Sequence, residues 1–218
     1  MKEQAEVIAA IQAEDADKLQ NLLTKDPALA SARDEKGVSA IMNALYQRRT
    51  DLLKRLLAAK PALDIFEATA VGRTERVAEL LKSDPGLAKS WSADGFTALH
   101  FACFFGQDAT GMLLLDNGAD ASAEARNPMK VMPLHSAASA RNAALGKALI
   151  EHGAPVNARQ AMGWTPIHAA AQNGDKAMAE LLLKHGADPR MTNDEGVSAA
   201  DLAKKGGNAE IIAMLERG

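Results

Sequence analysis

The sequence contains little cysteine, few aromatic residues and no long hydrophobic run. Cys103 is the single cysteine, so the chain cannot form an internal disulfide, which favours a reducing compartment. No stretch approaches the roughly 20 apolar residues that a membrane-spanning helix needs. Residues 1–6 (MKEQAE) include two acidic residues, and no apolar stretch of 7–15 residues follows, unlike a secretory signal peptide. We therefore expect a cytoplasmic protein that does not insert into a membrane.

An excess of charge of one sign is also missing. The 25 Lys and Arg residues nearly balance the 28 Asp and Glu residues, and the net charge is −3. Neither half of the chain carries the basic stripe that binding to a phosphate backbone requires, so nucleic acid is not an expected partner. The composition, 47% hydrophobic and 24% charged, is that of a folded globular protein. With five Phe, two Trp and one Tyr, small and aliphatic side chains must fill the core, which favours closely packed helices.

The sequence does contain an internal repeat. Three segments share one pattern with His at its fourth position: residues 97–100, 132–135 and 165–168. These His residues are spaced by 35 and 33 positions. The glycines at positions 118, 153 and 186 repeat with the same two spacings. The agreement indicates a structural repeat of about 33 residues.

Each repeat is predicted to form two short helices. In residues 165–186, Pro166 suits the first position of a helix, and Gly174 ends that helix. Met178 and Leu182 then lie on one face of a second helix. Helices this short are not stable alone in water, so each must bury its apolar face against the next repeat. The sequence therefore predicts an all-α solenoid of stacked helix-turn-helix units.

Two irregularities interrupt the repeat. Residues 22–41 return 58 positions later, whereas two units would give about 66. We therefore place a missing hairpin between residues 60 and 67 and expect a notch there in the row of hairpin tips. The segment 118–135 is two residues longer than the equivalent segment 153–168, and Lys130 replaces its turn glycine. We expect that tip to differ in shape from its neighbours.

These motifs resemble ankyrin repeats. Residues 163–175 (GWTPIHAAAQNGD) and 181–189 (LLLKHGADP) match the family pattern closely. Residues 127–135 and the Asp-Pro-x-Leu-Ala loops are similar to free-standing bacterial ankyrin-repeat proteins. The resemblance covers essentially the whole chain and implies a single ankyrin-repeat domain over residues 1–218. It divides into an N-terminal capping repeat (1–33), internal repeats (34–192) and a C-terminal capping repeat (193–218), with seven units at 5–33, 34–63, 64–92, 93–126, 127–159, 160–192 and 193–218.

No catalytic or metal-binding constellation is predicted. The resemblance implies that His100, His135 and His168 hydrogen-bond within and between repeats. A full repeat separates them, which is too far to share a metal ion. His100 and Cys103 lie three positions apart on one helix, but no third group orients the His for a Cys–His dyad, and Cys103 suits a small buried position. We expect a non-enzymatic protein without a cofactor or metal.

The resemblance also implies where a partner binds, namely on the concave face formed by the hairpin tips and the exposed side of each first helix. Six of the eight aromatic residues fall at these nominally exposed positions, and several methionines lie in or beside the tips. Aromatic and Met side chains are typical of adaptable binding surfaces. We expect an unidentified protein partner to contact the following residues: Tyr46, Trp91, Phe96, Phe104, Phe105, Met129, Arg159, Met162, Trp164, Gln172, Asn173 and Asp194.

Other interpretations remain open from the sequence. It does not decide whether Phe104 and Phe105 face a partner or pack between neighbouring repeats. A regulatory or small-ligand-binding protein is an alternative, which a deep cavity lined by Phe104, Phe105 and Trp164 would favour. An engineered scaffold without a natural partner is another. We expect a monomer, although an apolar concave patch also permits weak self-association.

Overall fold

The computed structural model describes residues 2–217, and this part of the chain forms fourteen α-helices in seven consecutive pairs. We number the pairs repeats 1 to 7 and call the first helix of each pair the inner helix and the second the outer helix. The helices are α1 (Lys2–Gln12), α2 (Ala16–Lys25), α3 (Ala40–Tyr46), α4 (Thr50–Ala58), α5 (Ile65–Ala70), α6 (Thr74–Ser83), α7 (Ala98–Phe105), α8 (Asp108–Asp116), α9 (Pro133–Ser139), α10 (Ala143–Glu151), α11 (Pro166–Gln172), α12 (Lys176–Lys184), α13 (Ala199–Lys205) and α14 (Ala209–Leu215). Short 3-10 helices lie at Pro27–Ser31, Pro85–Lys89 and Ala161–Gly163.

The pairs stack into two layers. Each inner helix from α1 to α13 packs on the next inner helix, and the outer helices from α6 to α14 pack on one another in the same order. Within each pair the two helices also pack together. The all-α solenoid predicted from the repeat is therefore confirmed. Within residues 2–217, every helix is too short or too polar to reach across a bilayer.

Small residues allow the repeats to stack closely. In the inner layer, Ala137 and Ala138 of α9 and Ala170 of α11 are completely buried, so neighbouring backbones approach each other with only methyl groups between them. In the outer layer, a Cβ atom built on Gly146 would lie 2.8 Å from the Cε atom of Met178. Ala and Gly at these positions set the separation of neighbouring repeats, because a larger side chain would push the repeats apart.

Short polar side chains fix where several helices begin. The Asp15 carboxylate accepts a hydrogen bond from the backbone N–H of Lys18 at the start of α2 (2.9 Å). At α5, Asp64 and Glu67 form a reciprocal capping box, in which each carboxylate accepts from the other's backbone N–H. A cap of this kind typically contributes about 1 kcal/mol. The cap matters most for α5, which has only six residues.

Backbone hairpins precede several inner helices, and one of them is longer than the rest. The N–H of Gln160 donates to the carbonyl of Trp164 (2.8 Å), which closes a loop of three residues. The N–H of Ala125 donates to the carbonyl of Val131 (2.7 Å), which closes a loop of five. In the longer loop Lys130 adopts a left-handed conformation with φ of 51°, in place of the usual glycine. The longer tip expected from the spacing is thus present.

Hydrogen bonds between the backbones of successive hairpins join the tips of repeats 4 to 7 into a row. Each bond runs from the N–H of one tip to a carbonyl of the preceding tip. Because backbone atoms make these bonds, the row is held in place whatever side chains the tips carry. The bonds are Arg126 N to Gly95 O (2.8 Å), Ala161 N to Met129 O (2.9 Å) and Asp194 N to Met162 O (3.0 Å).

Repeat 3 lacks a hairpin, as the 58-residue spacing predicted, and the chain runs from α4 to the Asp64 cap of α5 without one. The prediction of a notch in the row of tips is wrong, however, because the hairpins of repeats 2 and 4 contact each other across the position of the missing hairpin. A Cβ atom built on Gly37 would lie 3.1 Å from the Cβ atom of Ala93. The Tyr46 hydroxyl donates a hydrogen bond to the Asp94 carboxylate. A cleft of about 80 Å³ is left beneath the closed tips.

Candidate binding groove

An apolar pocket lies between the hairpin tips and the inner helices of repeats 2, 4 and 5. Its volume is about 290 Å³. Tyr46 enters it from the end of α3 and Phe104 from α7, while Phe96 and Met129 come from the tips. Ser139, at the end of α9, borders it on the side of repeat 5. We call this site the apolar pocket.

A second pocket continues the first towards repeat 6. It has a volume of about 260 Å³ and is lined by Met162, Trp164 and Gln172. Ser139 and Gln160 line both pockets, so the two are contiguous. We call the second site the Trp164 pocket and the two together the groove. The groove follows the stack of inner helices across repeats 2 to 6.

The exposed large hydrophobic side chains are concentrated in the groove. Phe104 is 52% exposed, Met129 55% and Met162 65%, and Tyr46 at the rim is 41% exposed. Among residues 2–217, one further large hydrophobic side chain is exposed, Met112 of the outer helix α8 at 39%. Contiguous apolar surface of this kind is uncommon on monomers unless it binds something.

Phe105 and Phe96 are half-buried and pack between repeats. The Phe105 ring lies 6.5 Å from the Tyr46 ring and 6.4 Å from the Phe101 ring, measured between centroids. The Phe96 ring lies 5.6 Å from the Phe101 ring. Phe104, one residue before Phe105, points outward with its ring edge-on to Phe105 at 5.2 Å. The sequence left open whether Phe104 and Phe105 are exposed or pack between repeats. In the structure Phe104 faces the groove, whereas Phe105 packs between repeats.

The two tryptophans are also half-buried, in different places. The Arg126 guanidinium lies 4.3 Å from the centroid of the Trp91 ring, in a cation–π contact. Trp91 lines the small cleft beneath the tips of repeats 2 and 4, outside the groove. Trp164 packs with its ring centroid 5.7 Å from that of His168 and still lines the Trp164 pocket. Trp164 is therefore the tryptophan that lines the groove.

Three of the four predicted polar contact residues are engaged in bonds between repeats. Arg159 donates to the carbonyl of Thr192 (3.0 Å) and to the carboxylate of Asp194 (2.9 Å). The Asn173 side-chain amide donates to the carbonyl of Ser139 (3.1 Å), across to the preceding inner helix. Gln172 is exposed and lines the Trp164 pocket. These bonds hold the walls of the groove and leave Gln172 as the most available polar group of the four.

Three buried histidines fasten the inner helices to the tips. The Nδ1 atom of His100 accepts from the backbone N–H of Thr97 (3.2 Å), so its Nε2 atom carries the proton and donates to the carbonyl of Val131 (3.1 Å). His135 makes the same bond to the carbonyl of Ala158 (3.0 Å). Burial lowers the pKa of His100 and the pKa of His135 to about 4. The neutral ring is therefore the form that fits.

His168 repeats the arrangement one repeat further on. Its Nδ1 atom accepts from the backbone N–H of Thr165 (3.2 Å), and its Nε2 atom donates to the carbonyl of Val197 (3.1 Å). Burial lowers the pKa of His168 as well. Each of the three rings thus spans from its own helix to the hairpin region that follows, as the resemblance implied.

Cys103 is fully buried on α7, three positions after His100. Burial raises the pKa of its thiol, so the nucleophilic thiolate is disfavoured. Both ring nitrogens of His100 are engaged in hydrogen bonds, so the ring does not serve as a base for Cys103. Among residues 2–217, no three His, Cys, Asp or Glu side chains come together as a metal ion would require.

Gln160 is the groove residue that sequence reasoning missed. In the equivalent position of other hairpins, Asp34 and Asn193 accept hydrogen bonds from the backbone of their own turns. Gln160 has one more methylene group, and its side chain makes no hydrogen bond within the described residues, so it lines both pockets. A long amide at a position where three other hairpins have a short capping side chain, from Asp34, Ser92 and Asn193, is the signal that identifies it.

The stacked helix pairs, the row of tips and the buried histidines define a helical-repeat solenoid with a side-chain-lined groove. A family model described as ankyrin repeats (3 copies) matches residues 7–125, 65–160, 112–193 and 134–217. The chain belongs to the ankyrin-repeat family. Ankyrin repeats generally mediate protein–protein interaction.

A curated relative shares part of this chain. The Transient receptor potential cation channel subfamily A member 1 homolog of Caenorhabditis elegans is 33% identical over 117 residues. The match covers 51% of this chain and 10% of that protein. The chain therefore corresponds to a small part of that relative.

Proposed function

We propose that this protein is a non-enzymatic binding module that holds a protein partner in the groove. The observation that carries the proposal is the apolar pocket of about 290 Å³, which exposed Phe104 of repeat 4 and exposed Met129 of repeat 5 both line. Exposed aromatic and Met anchors at the centre of a concave surface are the residues that dominate the energy of protein interfaces. The general role of ankyrin repeats supports the same function.

The groove is preorganised for binding. Backbone bonds between tips and the three buried histidines fix its walls before any partner arrives. A partner therefore loses little free energy to ordering this surface. We assign direct contact to six of the twelve residues expected from the sequence and a supporting role in the packing between repeats to the other six. The contact residues are Tyr46, Phe104, Met129, Met162, Trp164 and Gln172, and the supporting residues are Trp91, Phe96, Phe105, Arg159, Asn173 and Asp194.

A small-ligand site is less well supported. The cavity that would favour it, lined together by Phe104, Phe105 and Trp164, is not present among the described residues. Phe104 and Trp164 line different pockets, and Phe105 packs into the stack. The two contiguous pockets together reach the roughly 300–1,000 Å³ of small-molecule sites, but they form an open groove across repeats 2 to 6 and do not enclose a ligand. The pocket suits one large side chain of a bigger partner better.

Replacing Phe104 and Met129 together with Ser is expected to abolish capture of a partner. The two side chains supply the exposed apolar surface of the pocket, and losing such anchors costs about 2 kcal/mol each, which reduces binding by more than tenfold. The measurement is affinity capture from a bacterial lysate, with the captured proteins quantified by mass spectrometry. Circular dichroism must first show that the variant keeps the helical content of the parent.

Met112→Ser is the matched control, because it removes an exposed Met from the outer helix α8. Proteins captured by the parent and by Met112→Ser, and lost with the groove variant, support the proposal. If all three proteins capture the same set, the groove is not the binding site. Sedimentation velocity on the parent identifies the remaining rival, a dimer that buries the groove.

A further inference from the structure

The lining of the groove carries no formal charge. Among residues 2–217, no Asp, Glu, Lys or Arg lines the apolar pocket or the Trp164 pocket, although 24% of the chain is charged. His135 lines both pockets and His100 lines the apolar pocket. Burial lowers the pKa of each of these histidines to about 4, so both rings are neutral at pH 7. The groove therefore presents an uncharged surface to a partner.

Two other concave regions of the chain are charged. The cleft beneath the tips of repeats 2 and 4 is lined in part by Arg33, Asp64 and Glu67. A hollow of about 800 Å³ between α1 and the hairpin of repeat 2 is lined in part by Arg33, Asp34 and Lys36. An uncharged lining is therefore not a general property of the concave surfaces of this chain.

Charged residues that border the groove lie outside its lining. Asp94, which accepts the hydroxyl of Tyr46, lines the cleft beneath the tips instead. Arg159 is paired with Asp194 at 2.9 Å. Lys130 is exposed on the tip of repeat 5 and lines neither pocket. These bordering charges are of both signs, so they give no preference for an acidic or a basic partner.

Neutral polar groups without a partner line the groove. The Ser136 side chain is only 8% exposed and lines the apolar pocket, and its hydroxyl makes no hydrogen bond within the described residues. The side-chain amides of Gln160, which lines both pockets, and of Gln172, which lines the Trp164 pocket, also have no partner among residues 2–217. Hydroxyl and amide groups donate and accept, as the N–H and C=O groups of a peptide do. The groove therefore offers neutral hydrogen bonds to a peptide main chain.

We propose that the groove binds an extended, uncharged segment of a protein partner. One large apolar side chain of the segment enters the apolar pocket, a second enters the Trp164 pocket, and the main chain between them hydrogen-bonds to Gln160. An ionised side chain in the groove would lose its water without gaining a partner of opposite charge, which is costly. The lining therefore selects for segments without charge. This inference rests on the proposed function, since it names the kind of partner that the same groove accepts.

The spacing of the two apolar side chains follows from the repeat geometry. The apolar pocket lies between the inner helices α7 and α9, and the Trp164 pocket lies between α9 and α11. Their centres are therefore roughly 8–10 Å apart, which is one helix-packing distance. In a polyproline II segment, side chains three positions apart point the same way and are about 9 Å apart, and the main chain makes no internal hydrogen bonds. We therefore expect two large apolar residues three positions apart.

The test is a selection of random peptides, displayed on phage, against the full chain. We expect the enriched peptides to have two large apolar residues three positions apart and no charged residue between them. The affinity of synthetic copies should change by less than about twofold when the salt is raised from about 0.1 M to about 0.5 M. Either Asp or Lys placed between the two apolar residues should weaken binding at least about fivefold, because neither sign finds a partner in the groove. Tighter binding with one of the two signs would overturn the inference.

Gln160→Glu places a carboxylate in the groove with almost no change of shape. We expect it to bind the selected peptides at least about tenfold more weakly, because the carboxylate is desolvated and no longer donates a hydrogen bond. Gln160→Met should lose about threefold to tenfold, and binding equal to that of the parent would overturn the bond to the main chain. The matched control is Gln20→Glu on the outer helix α2, whose carboxylate still accepts from Arg55. An equal loss in Gln20→Glu and Gln160→Glu would mean that net charge alone acts, which would overturn the proposed site.

The outcomes separate this inference from the proposed function. Enriched peptides that carry charges of one sign between their apolar residues, and that depend on Phe104 and Met129, would overturn the uncharged segment and leave the groove as the binding site. A selection without any peptide that depends on those two residues would overturn the extended segment. Capture of a protein from a lysate that still depends on them would then preserve the proposed function, and loss of that capture as well would contradict both.

Discussion

Lowering the pH from 7 to 4 is expected to remove about 3 kcal/mol of folding free energy for each of His100 and His135. Both rings are neutral in the fold, where their pKa values are about 4, and ordinary histidines titrate at 6.5. Between these two values the unfolded chain binds more protons than the folded one. Stability is therefore fully present above pH 6.5 and falls as the pH drops towards 4. A loss of this size is large against the roughly 5–15 kcal/mol that stabilise a typical domain.

The measurement is urea unfolding at several pH values between 7.5 and 4.5, for the parent and for His135→Gln. The variant is less stable at neutral pH because the bond to the carbonyl of Ala158 is lost. As the pH is lowered, the free energy of unfolding should fall less steeply for the variant than for the parent. The two slopes should differ by about 1.4 kcal/mol per pH unit, because one titrating ring is gone. Glu67, whose pKa is raised by burial, opposes the trend equally in both proteins. Identical slopes for variant and parent would contradict the role given to His135.

His185→Gln provides the control for this comparison. His185 is exposed at the end of the outer helix α12, and its ring makes no hydrogen bond to another repeat within the described residues. Removing it takes away a histidine and keeps every bond between inner helices and tips. We expect His185→Gln to keep the stability of the parent at neutral pH, which would assign the loss in His135→Gln to the bond made by the buried ring.

Replacing Gly95 with Ala is expected to destabilise the fold by about 2–5 kcal/mol. Gly95 has a φ of +83°, a conformation that costs a residue with a side chain about 1–2 kcal/mol. A Cβ atom there would also lie 2.7 Å from the carbonyl oxygen of Arg126, which belongs to the next tip and cannot move aside as a side chain can. The same clash would strain the backbone hydrogen bond from the N–H of Arg126 to the carbonyl of Gly95.

Gly196→Ala separates the two causes. Gly196 holds the same place in the hairpin of repeat 7, with a φ of +77°, and a Cβ atom built there meets nothing within 4 Å. We expect urea unfolding to show a loss of about 1–2 kcal/mol for Gly196→Ala, which is the backbone cost alone. Equal losses at the two glycines would mean that the close contact between tips does not contribute.

The sequence was sufficient to predict the repeat and the helix pairs, and its resemblance to ankyrin repeats implied the hydrogen bonds of the three buried histidines. These features depend on local rules that recur at a fixed spacing: a capping residue, an apolar face, a glycine that ends a helix, and His at one register position. The longer tip before α9 was also predictable, because two additional residues between Gly118 and His135 have to be placed in the loop. The family resemblance drawn from the same motifs is confirmed.

The sequence could not predict which aromatic residues face the groove. Phe104 and Phe105 are adjacent on α7, and the helix turn alone places both near the surface. Phe105 is covered because repeat 3 is short, which allows Tyr46 of repeat 2 to reach its ring at 6.5 Å. The same shortening brings the hairpins of repeats 2 and 4 together, so the expected notch closes. Both results depend on contacts between residues 48 to 59 positions apart, which no local pattern encodes.

The polar residues show the same limit. Arg159, Asn173 and Asp194 were predicted as contacts for a partner because their register positions are exposed. In the structure they bond to neighbouring repeats, at positions about one repeat away along the chain. Register alone does not distinguish a free polar group from one that a neighbouring repeat already satisfies.

Site-specific photo-cross-linking tests most directly whether a protein partner lies in the groove. A photo-reactive phenylalanine derivative would be placed at Met129, beside the apolar pocket, and in a separate protein at Met112 on the outer face. We predict adducts with another protein from position 129 that are lost when Phe104→Ser is added, and none above background from position 112. Equal adducts from both positions, or adducts from position 129 with only a second copy of this chain, would contradict the account.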